Sequence, residues 1–380
     1  MVRGVYIHIP FCHQICNYCD FNKVYFHKQP VDEYIEAVGK EMAMAVLNSP
    51  EQFANLETIY LGGGTPTALS PRQLDRLLEL IAQHLSTDVL EFTAEANPDE
   101  LTVDKLKVLR SGGVNRLSLG VQSFDGQLLK KLGRTHTNDE VYRAIENAME
   151  AGFENISIDL MYGLPGQSME QWEDTLEKAL ALNLPHYSAY SLIVEPKTVF
   201  YIQYSKGKLQ LPEEELEAKM YERLMEKMEQ GGLHQYEISN FAKEGFESVH
   251  NKIYWDNDEY AGFGAGAHGY IKGVRYSNHG PIKKYLQSIG MGQLPVLHSH
   301  QVTLMEKCEE EMFLGLRKNE GVSFKQFEMK MGFSMKEKYG EIINELKNEG
   351  LVTEEEERLK LTKKGRFLGN EVFQQFLLSE

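Results

Sequence analysis

No run of about 18 apolar residues, the length a membrane-spanning helix needs, occurs anywhere in the chain. The opening residues MVRGVYIHIPF also lack the apolar core of a secretory signal. Positive charge is in short supply. Against 56 Asp and Glu stand 40 Lys and Arg, a formal charge of −16, so a nucleic-acid backbone would meet a repulsive average field. These shortages read as a folded cytoplasmic protein with no nucleic-acid partner and at most a peripheral contact with membranes. No internal repeat or low-complexity tract stands out. Scarcest among the reactive residues is cysteine, with 4 in 380 positions. Disulfides are rare in a reducing compartment, so a structural disulfide framework is not expected.

What cysteine there is, is concentrated. Cys12, Cys16 and Cys19 fall within the stretch IPFCHQICNYCDF, and only Cys308 lies elsewhere, at helical spacing with apolar neighbours. Cys308 reads as a small core residue. Clustered thiols in a reducing compartment are more often metal or redox groups. The C-x3-C-x2-C spacing puts three sulfurs on one tight loop. Three thiolates suit a [4Fe–4S] cluster with one iron left open. A structural zinc knot stays open as an alternative, with His8 or His13 as the fourth ligand, although neither gives a common zinc spacing.

A chain of 380 residues allows two or three domains. Over the first two hundred residues strand-like and helix-like segments alternate. Strands are expected near 4–9, 58–64, 89–95, 116–120, 155–163 and 186–192. Helices are expected over 31–47, 71–85, 102–111, 125–132, 138–151 and 169–182. Six β/α steps of this kind predict parallel strands with right-handed crossovers, in an open sheet or a full or partial barrel. Polar or glycine-rich punctuation follows the strands: the cysteine loop, GGGTPT, EANP, GVQSF and DLMYGLPG. In parallel α/β folds that edge binds ligands. From about 196 the rhythm changes, through a charged helix at 212–230 to the glycine-rich 260–278. Residues 300–380 read as three helices, a two-stranded charged wing with the run 354–357 forming its tip, and a last helix over 363–377. The expected division is a core at 1–195, an α+β extension at 196–299 and a winged-helix-like module at 300–380.

The combination YIHIPFCHQICNYCDF with GGGTPT, HNKIYW and GAGAHG resembles the radical S-adenosylmethionine (SAM) proteins. Within them it is similar to the branch holding the oxygen-independent coproporphyrinogen III oxidases and the HemW-type heme chaperones. The resemblance implies a partial (β/α)6 TIM-like barrel in which Cys12, Cys16 and Cys19 hold three irons of the cluster and SAM meets the fourth. It further implies SAM contacts at Gly63, Gly64, Thr65, Glu95, Gln122, Arg134 and Asp159, with Tyr6 and Tyr18 flanking the cluster. Taken singly, Glu95 and Asp159 could merely cap helices, and Gln122 and Arg134 could be surface residues.

Two departures from the oxidases point to the chaperone branch. Asp20 and Phe21 stand where the oxidases have a fourth cysteine. The chain also begins close before the first strand, where the oxidases carry an N-terminal arm. HNKIYW, residues 250–255, then suggests heme contact, with His250 as axial ligand and Asn251, Tyr254 and Trp255 around it. Against this stands the simpler reading that His250 is a hydrogen-bonded core residue packed by Trp255. His268 is a weaker heme candidate, and His13 could face either solvent or substrate. The expected function is a heme chaperone that passes heme to an acceptor protein. Oxygen-independent porphyrinogen decarboxylation is the enzymatic alternative.

Overall fold

The computed structural model describes residues 1–377. Six parallel strands lie side by side in chain order: β1 Gly4–Ile9, β2 Thr58–Gly63, β3 Glu91–Ala96, β4 Arg116–Gln122, β5 Asn155–Tyr162 and β6 His186–Ser191. Between them cross α1 Val31–Asn48, α2 Pro71–His84, α3 Val103–Ser111, α4 Gly126–Leu132, α5 Asn138–Glu150 and α6 Met169–Ala181. The predicted rhythm is therefore the observed one. Three of the helices open on capping boxes, Ser70 with Gln73, Thr137 with Glu140 and Ser168 with Gln171. Each box satisfies backbone donors that the first turn would otherwise leave free, and so fixes where the helix starts.

The strands alternate with period two, and the alternation decides what the barrel contains. Outward positions are apolar and buried under the helices: Val5, Ile7, Ile59, Leu61, Phe92, Ala94, Leu117, Leu119, Ile156 and Ile158. The residues between them face one another across the strands and are polar. Thr93 bonds Arg116, Tyr60 bonds Glu95, Ser118 bonds Asp159, and Ser157 bonds His186. The barrel is thus filled by a hydrogen-bonded polar interior rather than by layers of aliphatic side chains.

After β6 come α7 Val199–Ser205, α8 Glu214–Gln230, the antiparallel strands β7 His234–Glu237 and β8 Asn240–Ala242, and α9 Val249–Trp255. The chain then returns to the far side of the sheet. There β9 Tyr260–Phe263 pairs in parallel with β1, a seventh parallel strand within a stretch that the sequence marked only as glycine-rich. β10 His268–Ile271, β11 Val274–Asn278 and β12 Val296–Gln301 extend that edge in antiparallel fashion. The result is a 12-stranded sheet in the order β12-β11-β10-β9-β1-β2-β3-β4-β5-β6-β8-β7. Because β12 and β7 stay at opposite ends, the barrel remains incomplete. One hydrophobic core runs through this sheet from Val2 to Ile289.

A separate core spans Cys308 to Phe376. Helices Leu304–Gly315, Phe324–Met331 and Met335–Asn348 precede a hairpin of Val352–Glu355 and Arg358–Leu361, to which Val322–Ser323 adds a third strand. Glu356 and Glu357 turn the hairpin with φ of 51° and 57°, which makes the acidic run the wing tip. Cys308 is buried in this core. The single helix expected over 363–377 is instead two, Lys363–Phe367 and Gly369–Gln375, broken at Leu368. Among the described residues no helix is long and apolar enough to cross a membrane.

Candidate functional site

The cysteine loop is set by its backbone before any side chain acts. The amide of Val24 donates to Pro10 O at 2.8 Å, that of Phe26 to Cys12 O at 2.9 Å and that of Thr65 to Phe11 O at 2.9 Å. Asn17 ties the loop to the end of α4: its amide donates to Leu132 O at 2.9 Å and its Nδ2 to Lys131 O at 2.8 Å. Those carbonyls belong to the last turn, which has no intrahelical partner for them. Phe11 anchors the start of the loop edge-on against Tyr34, with ring centroids 5.2 Å apart. Held this way, Cys12, Cys16 and Cys19 line one cleft at the C-terminal rim of the barrel.

Glycine forms the opposite wall. Gly63 has a φ of +115°, and a Cβ there would meet the His8 ring at 2.5 Å. A Cβ on Gly64 would lie 2.9 Å from Cys12 Sγ and 2.8 Å from the Pro10 carbonyl carbon. Both positions need the missing side chain, the first for its left-handed backbone and the second for the close approach of the cysteine loop. His8 is locked in turn. Its Nε2 donates to Asn22 O at 2.7 Å, so Nδ1 accepts from the Tyr6 hydroxyl at 3.0 Å. Tyr6 accordingly stacks on Tyr60 and does not line the cleft.

The remaining walls are the inward polar positions at the tops of β3, β4 and β5. Glu95 accepts from Tyr60 Oη at 2.8 Å and from the Gly63 amide at 3.1 Å, and burial pushes its carboxyl up to about 7. Asp159 accepts from Ser118 at 3.2 Å and is likewise raised by burial. Arg134 reaches in from the loop after α4, donating to Asn97 Oδ1 at 2.8 Å and to Cys16 Sγ at 3.6 Å, and also to the Gly120 carbonyl. Its Nε is buried without a partner. Gln122 adopts a φ of 67° where the β4–β5 register shifts, which turns its side chain to the cleft.

Gly63, Gly64, Thr65, Glu95, Gln122, Arg134, Asp159 and Tyr18 all line the cleft with the cysteines. Asn97, Ser118 and Lys23 line it too and were not among the expected residues. Asn97 joins Arg134 to Thr65, donating to the threonine Oγ1 at 3.3 Å. The motif EANP held it in plain view. Lys23 folds back onto the Cys19 and Phe21 carbonyls.

Three thiols on one loop fit a metal–sulfur centre. Burial pushes the Cys12 thiol up to about 12 and raises Cys19 as well, a shift that a cationic centre between them would reverse by drawing off their protons. The orphaned Arg134 Nε and the bare Gly63–Gly64 backbone fit an anionic, closely approaching ligand beside it. The residues present therefore suit a cluster with an adjoining carboxylate-bearing cofactor.

HNKIYW lies at the other end of the barrel. His250 is 1% exposed, and its Nδ1 and Nε2 bond Thr58 Oγ1 at 2.7 Å and Tyr254 Oη at 2.8 Å. Its ring stacks on Tyr60, and burial drives it down to about 3. As folded here it has no ring nitrogen free for an iron, and it matches the hydrogen-bonded core reading. Trp255 stacks under Arg317, whose guanidinium carbon is 4.7 Å from the ring centroid. Asn251 and Trp255 are half-buried on the same short helix. His268 is exposed on β10, while exposed His13 bonds Ala68 O at 3.2 Å and packs on Phe26.

Comparison with known proteins agrees with this geometry. Residues 6–179 match the Radical SAM superfamily and residues 302–368 the HemN C-terminal domain. A protein of Bacillus subtilis (strain 168) named heme chaperone HemW is 52% identical over 378 residues, covering 99% of both chains. A Lactococcus lactis protein of the same name is 49% identical, covering 100% of this chain and 98% of its own. The solved structure of coproporphyrinogen III oxidase (HemN) from Escherichia coli, a radical SAM enzyme, superposes with a TM-score of 0.85 at 25% identity. That alignment covers 98% of this chain and 89% of the other.

Proposed function

Because this chain belongs to the HemW family of radical SAM proteins, we propose that it is a heme chaperone, binding heme and handing it to an acceptor protein. The observation that carries this reading is the near-full-length identity to relatives so named. It is joined to a cleft that gathers the three cysteines with Glu95, Arg134 and Asp159. In this reading Cys12, Cys16 and Cys19 hold the [4Fe–4S] cluster, and Arg134 receives the carboxylate of an exchangeable SAM. Gly63, Gly64 and Thr65 bring backbone up to the methionyl part. Glu95, Gln122 and Asp159 take its amine and hydroxyls, and Tyr18 shields the cysteine side. Bound there, the pair supplies a low-potential electron and a sulfonium able to accept it. The three-part division at 195 and 299 belongs to the same proposal.

The likeness to the oxidase structure supports porphyrinogen decarboxylation as the second reading. One experiment separates the two. Anaerobically reconstituted protein is titrated with heme and mixed with an apo-heme protein. In parallel it is incubated with coproporphyrinogen III, SAM and reductant. Heme binding and transfer without release of carbon dioxide is the expected result; carbon dioxide without heme transfer would falsify the chaperone reading in favour of the enzyme.

A further inference from the structure

The sequence offered His250 for heme, and the structure turns both of its ring nitrogens inward to Thr58 and Tyr254. If the chain carries heme as proposed above, the macrocycle needs another seat. A different surface has the required chemistry, and it lies against the cysteine loop.

After β6 the chain runs over the rim of the barrel as residues 190–211. Only Phe200 of α7 is buried, in a small cluster with Leu128, Met161 and Leu192 that Tyr18 joins. Its amide donates to Asn17 O at 3.0 Å, between Cys16 and Cys19. The anchoring side of α7 is therefore bonded to the loop that lines the cleft. The rest of the segment turns large apolar side chains outward: Ile193 is 69% exposed, Ile202 49%, Tyr204 55% and Tyr201 42%. Leaving such groups in water is unfavourable, and several large exposed apolar side chains on one short segment mark a binding surface. Flat aromatic and branched aliphatic groups suit a flat apolar ring.

The charge on this segment is the second observation. In a chain of formal charge −16, residues 190–211 carry Lys197, Lys206 and Lys208 against Glu195, with Glu217 of α8 bonded to Ser191 at the far end of the segment. All three lysines are exposed, and none makes an ion pair among the described residues. Two of them lie in the turn that ends α7, directly after Tyr204. The amide of Gly207 donates to Tyr204 O at 2.9 Å and that of Lys208 to Gln203 O at 2.9 Å, a Schellman-type ending that folds Lys206 and Lys208 back within a turn of Tyr204. Unpaired ammonium groups at the border of an apolar face match a ligand that is a hydrophobic disc with carboxylates on one edge.

We propose that heme docks on this rim face, its ring against Tyr201, Ile202 and Tyr204 and its propionates on Lys206 and Lys208, beside the cysteine loop. The proposal rests on the heme-chaperone reading but assigns the place independently of it. The test is a hemin titration, followed by Soret absorbance, of the full-length protein with its cluster reconstituted anaerobically. The variants are Tyr201→Ser with Tyr204→Ser, and Lys206→Glu with Lys208→Glu, all at exposed positions that leave the core intact. Each pair is expected to weaken hemin binding ten-fold or more with the cluster absorbance unchanged. Hemin dimethyl ester, which lacks the carboxylates, should bind wild type and the lysine pair alike. Wild-type hemin affinity in both pairs overturns the proposal. So does wild-type hemin affinity combined with lost binding to phosphatidylglycerol vesicles, which assigns the face to a membrane. A wild-type chain that binds no hemin at all defeats the chaperone reading itself, before any variant is compared.

Discussion

Strand β3 carries a glutamate near each end, two turns of the pleat apart on the same inward face, and the two are treated in opposite ways. Glu91, at the N-terminal end of the barrel, accepts from Ser248 Oγ at 3.0 Å and from the amides of Val249 and His250 at 2.9 and 3.1 Å. The guanidinium of Arg116 stands 3.9 Å away. Its oxygens cap the start of α9, where free amides favour a negative charge. Glu95, at the C-terminal end, has one phenol and one amide, and faces a cleft. One end of the polar interior is closed on itself by the chain; the other is left for something else. Position within a strand, rather than residue type, separates a carboxylate enclosed by the chain from one that faces a cleft.

The sharpest way to break this comparison is to remove a thiol. Cys16→Ala should reduce bound iron from about four per chain to near zero while the far-ultraviolet circular dichroism is unchanged. A chain that unfolds instead would show the upper end to be structural after all. Next in size is Glu91→Ala, which leaves Arg116 buried beside an uncapped helix. A loss of about 3–5 kcal/mol in denaturant stability is expected, against about 1 kcal/mol or less for Glu95→Gln. Equal losses would erase the distinction. Gly64→Ala should cost about 1–3 kcal/mol through overpacking against Pro10 and Cys12 and lower cluster occupancy, read by iron analysis.

The comparison can also be read in pH, where the two ends should slope oppositely in the chain without SAM. Burial raises Glu95 from 4.5 to about 7. Between those values the unfolded chain has lost a proton that the folded chain keeps, so stability falls as pH rises through that window. Burial lowers His250 from 6.5 to about 3. Here the unfolded chain binds the extra proton, so stability falls as pH drops below 6.5. Glu95→Gln should flatten the first limb and His250→Gln should soften the second, in denaturation midpoints taken from pH 4 to 8.

Much of the upper end was legible because it is written in short, contiguous stretches. The cysteine loop and GGGTPT are local, and their neighbours Glu95, Gln122 and Asp159 end recognisable strands. Asn97 escaped because its role depends on Arg134 and Thr65, which sequence distance hides. The lower end was harder to read. His250 has the same local appearance whether it faces a ligand or Thr58, a residue 192 positions away. The strand β9 was obscured by its glycines, which weaken a strand signal yet are needed here: a Cβ on Gly262 would lie 1.9 Å from His268 O. The helix expected at 363–377 ran through Gly365, where a Cβ would lie 1.9 Å from Leu351 O, a tertiary requirement with no local signature.

The pairing of β1 with β9 has a bearing on how the protein is made. A ribosome delivers Cys12, Cys16 and Cys19 early, yet Asn22, which closes their loop, must wait for Ala265 O and Gly280 O, to which its Nδ2 donates at 2.7 and 3.0 Å. Tyr34 waits similarly for the amide of Ala265. At roughly 5–20 residues per second the nascent chain spends tens of seconds with one flank of its first strand bare and with the Asn22 ties of its thiol loop unmade. The last ties on the cysteine loop are thereby deferred until translation is well past the midpoint, and a product truncated before residue 260 would leave the β9-facing edge of β1 unpaired.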